Sequence, residues 1–137
     1  MGLTHLDAGV VIGFLDASDA HHVKAKASLT QAIANGDQLA MAASAFAECL
    51  VGPARRSDEA IQVVRRAFDR LPIQIVDLNP LIAVEAARLR SQHRSLRLPD
   101  ALVIATSVVA SADRLVTADG RWPTRKELLI EFEIVQI

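Results

Sequence analysis

The chain has 137 residues, of which 51% are hydrophobic, and a formal net charge of −1 at pH 7. This length allows one compact domain with a single core, so we predict one domain over residues 1–137, and the charge excludes a surface that is basic throughout. The longest nearly uncharged stretch, residues 101–112, is too short to span a bilayer, and no targeting segment opens the chain, so we expect a cytoplasmic protein without a membrane anchor.

The first third of the chain alternates between predicted strands and helices. Residues 3–6 form a short apolar strand that ends at Asp7, and the apolar residues after it have helical spacing. A second helix over residues 20–34 is expected to stop at Asn35-Gly36, a pair suited to a helix C-terminus. Residues 39–42 then form the second strand.

The middle of the chain continues the same alternation. Ser44 is placed to cap the next helix with its hydroxyl, and this helix is expected to stop near Gly52-Pro53. Apolar residues recur at helical spacing over residues 58–71 and leave the arginines on the opposite face, which is typical of an amphipathic surface helix. Residues 73–76 form the third strand.

Prolines mark the helices of the last part. Pro80 opens one helix and Pro99 another, because proline is favoured at the first helical position. Residues 102–112 are apolar on nearly all sides, as in a helix buried against a sheet. Strands follow at residues 115–118 and 133–137. The whole alternation predicts an α/β fold with a mostly parallel central sheet of about five strands and helices on both faces.

Four acidic residues stand where a predicted strand ends or the next helix begins: Asp7, Glu48, Asp100 and Asp119. In a parallel sheet wound with helices, these positions meet outside the carboxyl ends of the strands. Carboxylates packed in one crevice repel one another, and protonation or a bound cation relieves the repulsion. Because the ligands are all oxygen, the pattern predicts Mg²⁺ or Mn²⁺ and chemistry on phosphate esters.

Each acid alone also has a plainer interpretation. Asp100 fits a partner for its helix dipole, Asp119 with Gly120 fits a turn, and Glu48 fits an ordinary helical carboxylate. Asp7 is different, because an aspartate that closes a buried strand needs donors, a cation or a proton to offset its desolvation. The predicted metal site therefore depends on the four acids together.

Other reactive side chains offer weaker chemistry. Cys49, the only cysteine, has apolar neighbours and is interpreted as a structural thiol, and a single cysteine excludes an intramolecular disulfide. Ser44 and Ser107 lack the glycine-flanked turn that exposes a hydrolase nucleophile. The histidines have no partner at metal-ligand spacing and are interpreted as surface or packing residues: His5, His21, His22 and His93.

Arginines form three clusters in spite of the low net charge. Solvated helix faces explain any one cluster, but around an acidic site the same side chains would hold phosphates. The clusters are Arg55, Arg56, Arg65, Arg66 and Arg70; Arg88, Arg90, Arg94 and Arg97; and Arg121, Arg125 and Lys126.

Four segments carry the acids: LDAGVVI at residues 6–12, SAFAE at 44–48, LPDALVIA at 98–105 and TADGRW at 117–122. In order, spacing and overall length they resemble the PIN-domain nucleases, in particular the VapC-type toxins of prokaryotic toxin–antitoxin pairs. The resemblance covers nearly the whole chain. It implies a three-layer α/β/α PIN-like domain.

The chain departs from the family pattern at two positions. Gly9 stands where the family usually has serine, threonine or asparagine, so a hydroxyl that commonly supports the metal site is missing. Trp122 replaces the more usual phenylalanine and keeps an aromatic anchor. Thr117 matches the family's threonine before the last acid, where its hydroxyl would support Asp119 or a ligated water, although a strand threonine needs no such role.

The resemblance implies metal-dependent hydrolysis of RNA, with tRNA or rRNA as the substrate class. The four acids would be both catalytic residues and ligands of Mg²⁺ or Mn²⁺. A VapB-like antitoxin and a homodimer are the implied partners. Phosphate contacts are expected from Arg55, Arg56, Arg97 and Arg121.

Three other functions remain as alternatives. The first is an inactive PIN fold that binds RNA or protein, which the missing hydroxyl at Gly9 favours. The second is a receiver-like signalling domain, but such a domain has an acidic pair after its first strand, and Asp7 is followed by Ala8. The third is a haloacid-dehalogenase-type phosphatase, which requires a second aspartate where this chain has Gly9.

Overall fold

A computed structural model describes residues 2–137 of the chain. Within these residues one sheet contains the strands β1 (Leu3–Leu6), β2 (Gln38–Ala42), β3 (Ile73–Val76), β4 (Arg114–Thr117) and β5 (Glu133–Gln136). The strand order is β3-β2-β1-β4-β5, and every neighbouring pair is parallel. All the strands therefore end at the same edge of the sheet, which we call the carboxyl edge.

Seven helices accompany the sheet in the described part of the chain: α1 (Ala8–Leu15), α2 (His22–Ala34), α3 (Ala43–Arg56), α4 (Asp58–Asp69), α5 (Pro80–Gln92), α6 (Leu98–Val109) and α7 (Arg125–Leu128). Together the elements form a three-layer α/β/α domain, which confirms the predicted fold class. Within residues 2–137 no helix combines the length and apolar composition needed to cross a membrane.

The elements β1, β4 and α6 contribute fully buried residues to the core. Leu6 and Leu115 on the two central strands are 1% and 0% exposed, and Ile104 on α6 is 0% exposed. This burial explains why α6 is apolar on nearly all sides. Asp100 lies in the first turn of α6, at the end of the helix near the carboxyl edge.

Two of the predicted helix boundaries are wrong. The N-cap of α3 is Ala42, not Ser44, and the buried Ser44 hydroxyl makes no hydrogen bond within the described residues. The same helix runs through Pro53 to Arg56, because the turn after the proline still closes by a bond of 3.1 Å from Ser57 N to Pro53 O. The predicted end at Asn35-Gly36 is confirmed, with Gly36 at φ 77°.

The opposite end of the sheet, the amino edge, contains an enclosed ion pair. Asp37, just before β2, has a side chain that is only 3% exposed and accepts hydrogen bonds from Arg114 and Thr4. Thr4 belongs to β1 and Arg114 opens β4, so the three residues tie three adjacent strands together. The negative charge at this edge has a cation beside it.

His5 places an imidazole inside the core. The residue is 2% exposed, its Nδ1 lies 3.2 Å from Ser107 Oγ, and its Nε2 has no hydrogen-bond partner among residues 2–137. Burial lowers the pKa of His5 from 6.5 to about 4. The folded protein therefore holds this ring neutral over a range in which the unfolded chain protonates it.

We expect His5 to make the protein less stable as the pH falls from 6.5 towards 4. The unfolded chain binds a proton that the folded chain excludes, which lowers the free energy of unfolding by up to about 3 kcal/mol. Denaturant unfolding in EDTA at several pH values measures this loss. A His5→Gln variant is the control, since the carboxylates titrate alike in both proteins; equal pH slopes for the two would contradict the prediction.

Candidate active site

The topology brings together strands that are distant in the chain. From β1 the chain moves outward to β2 and β3, then returns to the other side of β1 to form β4 and β5. The strand order reverses between β1 and β4, and the crevice at such a switch point is the usual ligand site of an open α/β sheet. Asp7 directly follows β1, and Asp119 lies just beyond β4.

A cavity of about 710 Å³ opens at this point of the carboxyl edge. All four acids singled out in the sequence line it: Asp7, Glu48, Asp100 and Asp119. The structure therefore brings together four residues that are separated by up to 112 positions in the chain.

Asp7 is the most enclosed of the four acids, with 8% of its surface exposed. It is the N-cap of α1, where Oδ1 accepts a hydrogen bond of 2.8 Å from Ala8 N, and Oδ2 accepts one of 2.9 Å from Thr117 Oγ1. The pKa of Asp7 is raised, mainly by burial and further by Asp100 and Asp119, although the two hydrogen bonds act against the rise. In the part of the chain that the structure describes, no cationic side chain is among the groups that influence the pKa of Asp7.

Thr117 connects two of the acids. Its hydroxyl donates to Asp7 and accepts a hydrogen bond of 3.0 Å from the backbone N–H of Asp119. The contact with Asp119 thus runs through the main chain and not through the carboxylate. Since Thr117 is 1% exposed and lies in β4, its hydroxyl holds the Asp7 carboxylate in a fixed orientation.

Asp119 differs from the other acids because it already has a cationic partner. Its Oδ1 accepts hydrogen bonds from Arg121 N at 2.9 Å and Arg121 Nε at 3.2 Å, and its Oδ2 accepts from Nη2 at 3.2 Å. These bonds lower the pKa of Asp119. The Arg121 side chain is 83% exposed, so solvent weakens this ion pair and the arginine is free to exchange partners.

Glu48 and Asp100 complete the acidic wall. Glu48 lies in the second turn of α3, and its pKa is raised by partial burial and then by Asp7 and Asp100. The pKa of Asp100 is raised by burial and by Asp119, against the effects of Trp122 and nearby arginines. Trp122 Nε1 is buried beside this group without a well-formed hydrogen bond. For three of the four acids, burial and the neighbouring carboxylates therefore outweigh the groups that stabilise the charged form.

The donor set suits a hard divalent cation. In residues 2–137 as they stand, no three His, Cys, Asp or Glu side chains lie close enough to form a ready-made metal site. Mg²⁺ does not require one, because it usually keeps several waters and binds proteins through one or two carboxylates. Oxygen ligands and several carboxylates with raised pKa values in one cavity fit such an ion.

The structure separates the four arginines that were expected to bind phosphate. Arg97 and Arg121 line the cavity beside the acids. Arg55 and Arg56 are exposed in the last turn of α3 and do not line it. Two of the four side chains are therefore placed at the site and two are outside it.

Sequence reasoning did not place Asp19 at the site and interpreted His21 as a surface or packing residue, yet both line the cavity from the turn between α1 and α2. The only signal for them in the sequence is Gly13, a glycine inside a helix, which can mark a close approach. A Cβ at Gly13 would lie 3.3 Å from His21 Cβ and 3.4 Å from Asp19 Oδ1. The spacing of the four acids did not indicate that Asp19 or His21 would lie at the site.

Gly9 also allows a close approach. A Cβ at this position would lie 3.3 Å from Ala118 Cβ, which is tighter than most such contacts in proteins. Gly9 and Ala118 both line the cavity. The missing hydroxyl thus coincides with tight packing between the start of α1 and the residue after β4.

Cys49 is not part of the chemistry. The residue is 5% exposed, and its Sγ lies 3.9 Å from Ala8 O. Burial, with smaller effects of Glu48 and Asp7, raises the pKa of the thiol to about 12. It therefore stays protonated at neutral pH, as its apolar neighbours predicted.

The family model of the PIN domain matches residues 5–128. The chain belongs to the PIN-domain family. This confirms the family resemblance of the four acidic segments. No curated protein matches this PIN domain in sequence.

Solved structures share the fold of this PIN domain. VapBC2 from Rickettsia felis, bound to a DNA fragment from its promoter, has a TM-score of 0.74 at 15% identity, with 98% of each chain covered. VapC20 from Mycobacterium tuberculosis, a sarcin–ricin loop cleaving toxin, has a TM-score of 0.69 at 16% identity, over 86% of this chain and 91% of that one. A toxin–antitoxin complex from Klebsiella pneumoniae has a TM-score of 0.68 at 24% identity, over 86% and 88%. At these identities the likeness establishes the fold alone.

Proposed function

We propose that this PIN domain is an endoribonuclease that depends on Mg²⁺ or Mn²⁺ and acts as the VapC-type toxin of a toxin–antitoxin pair. The observation that carries the proposal is the cavity at the switch point. It holds four carboxylates, of which Asp7, Glu48 and Asp100 have raised pKa values. Such a site binds a cation readily, and cations in oxygen-only sites commonly serve phosphoryl chemistry.

The structural neighbours support the finer parts of this proposal. One of them cleaves the sarcin–ricin loop, and the others are toxin–antitoxin assemblies. RNA as substrate and a VapB-like antitoxin as partner follow from this likeness and from the acidic segments. We extend the same reasoning to a homodimer, for which exposed apolar side chains such as Leu81 and Val84 on α5 are available.

In this mechanism Asp7, Glu48 and Asp100 hold the metal, and Asp119 is a further ligand, directly or through water. When bound, the metal supplies a Lewis acid and neutralises charge that develops on the phosphate during hydrolysis. Thr117 fixes the Asp7 carboxylate through its hydrogen bond to Oδ2.

We assign phosphate binding to the arginines. Arg97 and Arg121 lie in the cavity wall and orient the scissile phosphate, because guanidinium groups pair well with phosphate oxygens. Arg55 and Arg56 lie outside the cavity, so in our proposal they contact the RNA further from the cut. Such contacts position the RNA without selecting its sequence.

Cleavage of total cellular RNA by the purified, antitoxin-free protein tests the proposal. We expect discrete fragments with Mg²⁺ or Mn²⁺ and none with EDTA. Cleavage that persists in EDTA would exclude a metal-dependent site. If the folded protein bound RNA without cutting it under any metal condition, the binding scaffold would be the correct function, which the missing hydroxyl at Gly9 favours.

Thr117→Val should weaken the site without removing a ligand. The variant loses the hydrogen bond to Asp7, and we expect about 10- to 100-fold lower cleavage or metal affinity, as for other residues that orient metal ligands. Cleavage rates measured over a metal titration separate the two effects. Thr106→Val is the matched control, since this buried threonine on α6 bonds only Leu102 O and does not line the cavity. Equal rates for Thr117→Val and the control would contradict the proposed role.

A further inference from the structure

The residues that line the cavity differ in the hydrogen bonds they can make. Of its thirteen lining residues, five are carboxylic acids, two are arginines and five have no polar side chain. The remaining one is His21. Within this lining, His21 is therefore the side chain that can accept a hydrogen bond without carrying a negative charge.

His21 is held in place by its neighbours. Its backbone N–H donates to Asp19 Oδ1 at 2.8 Å, and the same oxygen lies 3.5 Å from the ring Nδ1. Gly13 allows this turn to approach α1 closely. The turn is also held to α1 by a hydrogen bond, since His22 Nδ1 lies 2.8 Å from Gly13 O. His21 thus has a defined position at the wall of the cavity.

The His21 ring does not cap the helix that it precedes. His21 is the N-cap of α2, yet its side chain makes no capping hydrogen bond. Its side chain is 43% exposed, so the ring is accessible from the cavity. Asp19 beside Nδ1 favours the tautomer with the proton on Nδ1, which leaves Nε2 as an acceptor.

In the proposed mechanism, the other polar groups of the cavity already have binding partners. The four acids of the metal site take the cation, Asp19 faces His21, and the arginines, which only donate, suit phosphate oxygens. An RNA substrate also presents the ribose 2′-hydroxyl, a donor that DNA lacks. An acceptor that carries no negative charge, next to a phosphate site, is suited to that group.

We propose that His21 Nε2 accepts a hydrogen bond from a ribose 2′-hydroxyl that flanks the scissile phosphate, with Asp19 as the positioning residue. His21 is then a substrate-contacting residue that favours RNA over DNA. The inference rests on the proposed ribonuclease function and adds to it the group by which the sugar is recognised.

The test compares two short substrates built around a cleavage site mapped with the wild-type protein. One is all RNA, and the other carries a single 2′-deoxy nucleotide, placed in turn on each side of the cut. We expect the wild type to cleave the RNA about tenfold faster than one of the deoxy substrates, as for the loss of one hydrogen bond. His21→Phe should bring this ratio close to one, and Asp19→Asn should lower it partly.

The rate ratio is taken within each variant, so a smaller folded fraction does not affect it. His93→Phe is the control, because His93 does not line the cavity, and it should keep the wild-type ratio. A ratio of one for the wild type at both positions, or an unchanged ratio in His21→Phe, would overturn the inference and leave the ribonuclease proposal intact. Failure of the wild type to cleave any RNA would instead overturn the proposed function and this inference with it.

Discussion

Asp7→Asn is expected to lower metal-dependent RNA cleavage by more than about 100-fold, beyond the effect of losing a group that only orients a ligand. The amide removes the negative charge and one acceptor oxygen from the most enclosed acid of the cavity. The hydrogen bonds around it can be kept, because Oδ1 still accepts from Ala8 N and Nδ2 can donate to Thr117 Oγ1.

The same variant should not lose stability in the absence of metal. The raised pKa of Asp7 means that its charged form disfavours the folded state at neutral pH, so a neutral side chain should keep or increase the melting temperature in EDTA. Added Mg²⁺ should raise the melting temperature of the wild type and not that of Asp7→Asn, since a ligand stabilises only the state that binds it.

In this one variant, the rate of RNA cleavage should therefore fall while the melting temperature in EDTA stays the same or rises. Asp69→Asn provides the control, because this exposed aspartate at the end of α4 does not line the cavity. Full activity in folded Asp7→Asn would refute the assignment of the acids. A loss of activity together with unfolding in EDTA would show that Asp7 serves the fold.

Arg114→Met is expected to have the opposite profile, with a large loss of stability and little change in catalysis. The substitution removes the cation beside Asp37, whose side chain is 3% exposed, and leaves that carboxylate with Thr4 as its remaining partner. Stranding a buried charge costs about 3 kcal/mol or more, and we take the lower figure because the Arg114 side chain is 34% exposed.

A second substitution tests the cause of this loss. Asp37→Asn combined with Arg114→Met removes both charges, so the double variant should regain part of the free energy of unfolding. Denaturant unfolding of the wild type and the variants measures this recovery. Cleavage per folded molecule should match the wild type, since the pair lies at the amino edge. A double variant that is less stable than Arg114→Met would disprove the stranded-charge explanation.

The parts of the site that the sequence predicted are those that topology alone determines. Asp7 and Asp119 follow neighbouring parallel strands, and Asp100 follows Pro99 in the first turn of α6, so the sheet topology brings them to the same edge. Helix boundaries were predicted less well, because neighbouring residues compete for the capping positions. The N-cap of α3 is Ala42 and not the predicted Ser44. Pro53 does not end α3, because the last turn of the helix closes without a proline N–H.

Features that depend on how two turns meet could not be predicted. Asp19 and His21 reach the cavity only because α2 folds back against Gly13, and no spacing rule relates them to the four acids. The short helix α7 was also missed, although Thr124 and Glu127 form a capping box at its start. Four residues are too few for hydrophobic periodicity to appear.

The tight contact between Gly9 and Ala118 has a consequence for mutational history. A serine at position 9 would bring a Cβ to 3.3 Å from Ala118 Cβ, so its effect depends on the residue at position 118. We therefore expect epistasis between the two positions. A lineage that gained the hydroxyl typical of the family would meet less steric resistance if glycine replaced Ala118 first. In the reverse order, Ala118 would have to shift by a few tenths of an ångström in the intermediate.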